Sequence, residues 1–179
     1  MIYNDRIRLR ADERSDLPLF VEWLNDPEVR EGISSYLPFS QAIEEQWYEH
    51  MLKLPREEHP FGIDIRTGDG GWRLIGNCSM FEFNWRCRSA EVGIFIGDKS
   101  CWNQGYGTDV MRLILKHGFE TLNLNRIYLH VFANNPRAIR CYEKVGFIHE
   151  GRLRQAEFKN NQYVDMLVMS VLHSEYIGT

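Results

Sequence analysis

The sequence predicts an α/β fold organised on one mixed sheet, and three observations carry that expectation. Apolar and polar residues alternate over short runs at 7–10, 62–66 and 90–96, the two-residue period of strands. Elsewhere apolar residues recur every three to four positions, as Val110, Leu113, Ile114 and His117 do, which is the spacing of a helix with one buried face. Between 90 and 132 the order is strand, glycine-bearing loop, helix, strand, one strand-helix-strand unit inside a chain that otherwise mixes hairpins and helices.

The remaining elements follow from the same rules. Ile7 and Leu9 alternate with Arg6, Arg8 and Arg10 as a half-buried first strand. Asp16 can cap the next helix and Pro18 suits its first turn; Leu17, Phe20, Val21 and Leu24 form its apolar stripe until Asn25 and Pro27 interrupt it. Residues 32–39 read as a loop. Ser40 caps a second helix whose Ile43, Trp47, Met51 and Leu54 recur on one face, and Pro55 and Pro60 end it. A strand at 62–66, the turn signal T-G-D-G-G at 67–71 and a strand at 72–83 lead through a polar turn into the strand at 90–96. A helix is expected at 108–122, a strand at 126–132, a helix at 136–144 and a closing hairpin of strands at 147–158 and 163–172. Repeats, low-complexity tracts and linkers are missing from the sequence, so residues 1–179 are expected to form a single domain.

Composition narrows the classes of function. The formal net charge of −4 argues against a nucleic-acid binder, whose contact surface is basic, and favours a cationic partner such as an amine. With no apolar run approaching eighteen residues and no apolar leader after M-I-Y-N-D-R, neither a membrane span nor a secretory signal is expected, and a cytoplasmic protein is. Cys78, Cys87, Cys101 and Cys141 form no C-x-x-C pair and have no histidine at ligand spacing, so buried free thiols and no metal are expected.

The stretch C-W-N-Q-G-Y-G-T-D at 101–109 places two glycines between a strand and a helix. The main-chain N–H groups of Gln104, Gly105, Tyr106, Gly107 and Thr108 there converge on a helix N-terminus, where free donors and the positive end of the helix dipole favour a phosphate. Gly107 is followed by Thr and Asp, which removes the phosphate loop that needs Lys. Val110 stands where the dinucleotide fingerprint wants a third small residue. Glycine spacing alone leaves two readings open, a phosphate site and a plain tight turn.

About thirty residues on, the segment N-L-N-R-I-Y-L-H-V-F-A-N-N-P-R-A-I-R-C-Y-E-K-V-G-F-I-H-E-G from Asn123 resembles the C-terminal half of a GNAT N-acetyltransferase. The pieces match in order over 90–150: a strand opening A-E-V, the x-x-G-x-G loop and helix, a second strand, an Asn-containing loop, a short helix bearing Tyr, and G-F at the next strand. I-R-L-R-A-D at 7–12 and W-L-N-D-P-E-V at 23–29 resemble the RimJ/RimL-type branch, and the closing E-G-R-L-R-Q-A-E-F-K-N-N-Q-Y-V-D is similar to that branch and to spermidine acetyltransferases. Trp102 departs from the Gln or Arg that opens the loop motif in many members.

The resemblance implies a fold and an activity. The fold is a central mixed sheet splayed between the strands at 90–96 and 126–132, flanked by helices, with the splay forming a slot for acetyl-CoA. Main chain at Ile94, Phe95 and Ile96 meets the pantetheine, the amides of Gln104 to Thr108 hold the pyrophosphate, and Asn134 and Ala138 line the arm. The acceptor enters across residues 32–39 and the final hairpin. It is a primary amine, either a small molecule or a protein N-terminus, and similar enzymes are commonly dimers. A non-catalytic acyl-CoA sensor, and an acyltransferase for a sugar amine or antibiotic, are the alternatives.

The same resemblance gives roles to two side chains. Tyr142 lies on the inward face of its helix with Ala138, Ile139 and Val145, and the resemblance makes it the proton donor to the leaving thiolate rather than only a core tyrosine. Glu91 takes the place of the general base; read from the residues alone it is equally a rim carboxylate paired with Arg86 or Arg88, with Glu82 as a substitute acting through water. His117 and His130 read as helix-face and strand-face residues. Amine attack on a thioester needs no nucleophile from the enzyme.

Overall fold

The computed structural model describes residues 2–177. The chain divides into two compact units, Met1–Met80 with Gly93–Tyr106, and Phe81–Val92 with Gly107–Thr179.

In the first unit β1 (Ile2–Tyr3), β2 (Ile7–Ala11), β3 (Phe61–Arg66) and β4 (Trp72–Asn84) pair antiparallel in succession, β4 running on past Met80 into the second unit. Ile7, Leu9, Ile63 and Ile65 are buried, as the period-two alternation of both strands requires. Three helices belong here: α1 (Leu17–Asn25), α2 (Pro27–Arg30) and α3 (Gln41–Met51). Leu17, Phe20, Trp23 and Leu24 of α1 pack with Tyr48 and Met51 of α3 and with Leu74 in one apolar cluster. Two glycines permit close approach in this unit. A side-chain carbon on Gly76 would stand 2.2 Å from the Phe95 carbonyl oxygen, and one on Gly97 would stand 2.1 Å from the Trp23 indole.

Two local expectations are corrected. Asp16 does not cap α1: its carboxylate accepts from the Arg10 guanidinium at 2.7 and 2.9 Å and from the Glu13 amide at 2.8 Å, closing a short 3-10 turn before the helix. The buried stripe of α3 is Glu44, Tyr48 and Met51, while Ile43 and Trp47 are half exposed. Tyr48 turns inward because its hydroxyl reaches the main-chain carbonyl of Asp12 at 3.4 Å and its ring lies under the Arg14 guanidinium. The Ser40 cap is as read, its hydroxyl accepting from the Ile43 amide at 3.2 Å. The short α2 was not anticipated; Asp26 caps it by accepting from the amides of Glu28 and Val29.

β5 (Ser89–Ile96) belongs to the second unit up to Val92, and there it pairs parallel with β6 (Arg126–Phe132), from Ser89 with Arg126 to Glu91 with Tyr128. β6 then pairs antiparallel along its whole length with β8 (Gln162–Leu172), and β8 with β7 (Ile148–Lys159). The strand order β5-β6-β8-β7 combines parallel and antiparallel neighbours, the mixed sheet that was expected. α4 (Tyr106–Lys116) begins two residues earlier than read and ends in a π-helical turn at His117–Thr121; α5 (Pro136–Lys144) has the expected bounds.

Cys78 and Cys101 are buried and Cys141 half-buried, but Cys87 is exposed in the turn between β4 and β5, against the expectation that all four thiols are covered. Among the described residues no helix is long and apolar enough to cross a membrane.

Candidate active site

The loop before α4 is fastened at both ends by side chains the sequence supplies. Trp102 donates its indole N–H to the Ile96 carbonyl at 2.8 Å, so the residue that departs from the common loop motif ties the loop to the end of β5. Arg6 donates to the Gln104 carbonyl at 3.2 Å and covers the Tyr106 ring at 4.6 Å from its centroid. The Gln104 side chain donates back to the Ser100 carbonyl. Asn103 and Gly105 both have positive φ, 61° and 84°. At Gly105 this conformation, rather than crowding, calls for glycine, since a side-chain carbon there would meet nothing within 4 Å.

α4 therefore starts with an open approach to its N-terminal amides, the first four of which have no acceptor inside the helix. A side-chain carbon on Gly107 would meet only Cys141 Sγ, at 3.5 Å. The Thr108 hydroxyl donates to that same sulfur at 3.5 Å. The positive end of the helix dipole at the start of α4 and the unfilled space at Gly105 suit a phosphate-bearing substrate.

Of the other residues assigned to acetyl-CoA, Ile94, Phe95 and Ile96 are half-buried on β5. The Phe95 ring packs edge-on against Phe20, and the Ile96 carbonyl is taken by Trp102. Asn134 is exposed. Asn135 caps α5 by accepting from the Ala138 amide at 3.1 Å, so Ala138 has its methyl group rather than its N–H to offer a ligand. Tyr142 is buried, its ring 5.8 Å from that of Phe147. Burial, and then the neighbouring Cys141, push its phenol well above the ordinary value, so it keeps its proton throughout the working pH range. Its hydroxyl makes no hydrogen bond to another of the described residues.

The structure pairs Glu91 with neither Arg86 nor Arg88. Its Oε1 lies 2.7 Å from Nδ1 of His130, which the sequence alone marks only as a strand-face residue. The signal was available in the register: Glu91 stands opposite Tyr128, and His130 is two residues further along β6 on the same face. Tyr128 meets His130 edge-on at 6.1 Å. Its phenol is raised by burial and then by the charges of Glu91 and Glu82. Among the described residues nothing clusters as a metal site.

The comparison with known proteins gives the family. The acetyltransferase (GNAT) domain model matches residues 6–148. The chain belongs to the GNAT acetyltransferase family. It is 34% identical to the spermidine N(1)-acetyltransferase of Vibrio cholerae serotype O1 over 98% of each chain, and 25% identical to the putative ribosomal N-acetyltransferase YdaF of Bacillus subtilis over 98% and 96%. The fold matches the crystal structure of the Vibrio cholerae spermidine N-acetyltransferase in complex with CoA and spermine at a TM-score of 0.87, with 31% identity, covering 97% of this chain and 99% of that one. This GNAT chain is accordingly an acetyl-CoA-dependent N-acetyltransferase acting on a primary amine.

Proposed function

We propose that this enzyme acetylates a primary amino group of a polyamine of the spermidine class. The observation that carries the reading is 34% identity to a spermidine N(1)-acetyltransferase along nearly the whole of both chains. The formal net charge of −4 suits a polycation, and Glu82 and Glu91 put negative charge around Tyr128 in the second unit.

The amides from Gln104 to Thr108 take the CoA phosphates. An aliphatic ammonium with a pKa near 10.4 is neutral only about once in 2,500 molecules at pH 7, so the acceptor has to lose a proton before it can attack. The Glu91 and His130 pair receives that proton. The amine then attacks the thioester carbonyl, the C–S bond breaks, and Tyr142 offers its O–H to the departing thiolate. Because its phenol is a weaker acid than a thiol, Tyr142 serves chiefly as a hydrogen-bond donor to the developing charge. Holding the partners together supplies much of the remaining acceleration.

Thiol release from acetyl-CoA, measured over a panel of spermidine, spermine, a peptide with a free N-terminus and an amino sugar, tests the acceptor. The polyamines are expected to give the highest kcat/KM. A peptide N-terminus exceeding both would replace the polyamine reading with the N-terminal one.

A further inference from the structure

We infer that His130, rather than Glu91, is the atom-level proton acceptor for the incoming amine, and that Glu91 holds its imidazole in the accepting tautomer. This rests on the proposed proton-accepting role of the pair and assigns the parts within it.

Geometry supports the division. An ionised carboxylate only accepts hydrogen bonds, so the 2.7 Å contact requires the proton of a neutral His130 to sit on Nδ1. The lone pair is then on Nε2, which has no hydrogen-bond partner among the described residues. Exposure points the same way: the His130 side chain is 31% exposed and that of Glu91 16%, so the imidazole is the more open member of the pair. The Tyr128 ring, edge-on at 6.1 Å, supports the plane of the imidazole.

The neighbouring charges are compatible with a cation forming on His130. Glu91 faces it from β5, and Tyr128 and Arg126 lie on its own strand. The charge of the β4 residue Glu82 also raises the Tyr128 phenol. Across the sheet His130 stands opposite the apolar Val168, while Arg126 is drawn off by Glu150 of β7 at 2.5 Å and Glu150 also accepts from the Ser170 hydroxyl. The positive neighbour is thus neutralised and the negative one is in contact.

The step balances without a further reactant. An ammonium N–H bond breaks, its electron pair stays on the amine nitrogen, and Nε2–H forms, giving an imidazolium stabilised by the Glu91 carboxylate. The neutral amine attacks, the C–S bond breaks, and the second N–H proton passes to the departing sulfur, which Tyr142 stabilises by hydrogen bonding, so that the thiol leaves neutral. The imidazolium returns its proton to water.

The test compares kcat/KM for spermidine against pH in the wild type, His130→Gln and Glu91→Gln, with melting temperatures as a control. Glutamine at 130 keeps a hydrogen bond to Glu91 and cannot titrate. His130→Gln is expected to lose about a hundredfold in rate at pH 7, within the range general-base removal costs, and to recover as pH rises toward about 10, where solution supplies the neutral amine. Glu91→Gln, which leaves the imidazole in place and removes only its orienting carboxylate, is expected to lose less rate at pH 7 than His130→Gln. Activity within threefold of wild type in His130→Gln at pH 7, beside a roughly hundredfold loss in Glu91→Gln that recovers with rising pH, overturns the assignment in favour of Glu91 as the acceptor. Profiles parallel to wild type in both variants overturn the role of the whole pair, while an unreactive spermidine beside a reactive peptide condemns only the acceptor class. One measurement needs no variant: nitrogen-15 shifts of the neutral His130 ring should show the proton on Nδ1, and a proton on Nε2 overturns the inference.

Discussion

Gly107 lies over Cys141, and a side-chain carbon built on the glycine would stand 3.5 Å from the Cys141 sulfur, an ordinary contact. The fold itself therefore leaves room for a methyl group, and Gly107 sits inside α4 with no positive φ to demand glycine. Gly107→Ala should leave the melting temperature unchanged or raise it, since Ala is favoured over Gly in a helix by about 1 kcal/mol. If main-chain amides hold the CoA phosphates, the added methyl group stands where the phosphate approaches, and CoA affinity should fall about tenfold or more, roughly 1.4 kcal/mol. Gly105→Glu, which adds bulk and negative charge, should weaken binding further. Calorimetry on folded Gly107→Ala that shows wild-type CoA affinity removes the phosphate role.

That site shows where sequence was a sufficient guide and where it was not. The loop's place between β5 and α4 was legible because its glycines fall between a strand period and a helix period, and the Asn135 cap was legible because capping is local. The α3 face was misread because Ile43 and Trp47 fit the helical period as well as Glu44 and Tyr48 do; the choice was made by a hydrogen bond to Asp12, thirty-six residues away. His130 was missed for a related reason. Parallel strands bring together residues separated by a whole helix, here thirty-nine positions from Glu91, and only their register says which side chains meet. Trp102 looked like a departure from the loop motif because its anchoring bond to Ile96 exists only in three dimensions.

Tyr142 is buried, holds its proton, and has no hydrogen bond to another described residue. Tyr142→Phe keeps the ring against Phe147 and removes only the donor. Turnover should drop about ten- to ten-thousand-fold with acetyl-CoA binding little changed, the signature of an interaction made in the transition state. Steady-state kinetics beside calorimetric binding measures both. Turnover within twofold of wild type would reduce Tyr142 to a core aromatic.

The pair of Glu91 and His130 gives a pH experiment that also sorts acceptors. Glu91→Gln should depress turnover most near pH 7 and progressively less as pH rises, because solution then delivers the amine already neutral. For an α-amine of pKa about 8 the rescue should be nearly complete by about pH 9; for a polyamine near 10.4 it should continue toward about pH 10. Rates of wild type and variant with each acceptor supply the comparison. A constant ratio at every pH excludes Glu91 from proton transfer.

Asp12 offers a stability test away from the chemistry. It is 5% exposed, its Oδ2 accepts from the Asn77 amide at 2.6 Å, and its Oδ1 is buried without a hydrogen-bond partner. Burial, and then the charge of Asp16, push its carboxyl up to about 7 from an ordinary 3.8. The sign follows from the two states. Below about pH 4 the carboxyl is protonated folded or unfolded, and it has no effect on stability. As pH rises from about 4 to 7 the unfolded chain ionises while the folded one retains its proton, so the folded state loses stability, and above about 7 the full cost is present. A shift of this size corresponds to a cost of up to about 4 kcal/mol. Asp12→Asn keeps an acceptor for Asn77 and removes the ionisation, so it should stabilise the protein by about 1–3 kcal/mol at pH 8 and by little at pH 4. Urea denaturation of wild type and variant at the two pH values measures the difference. A gain that fails to grow with pH would mean that Asp12 is ionised in the folded chain, with Arg10 rather than a proton balancing its charge.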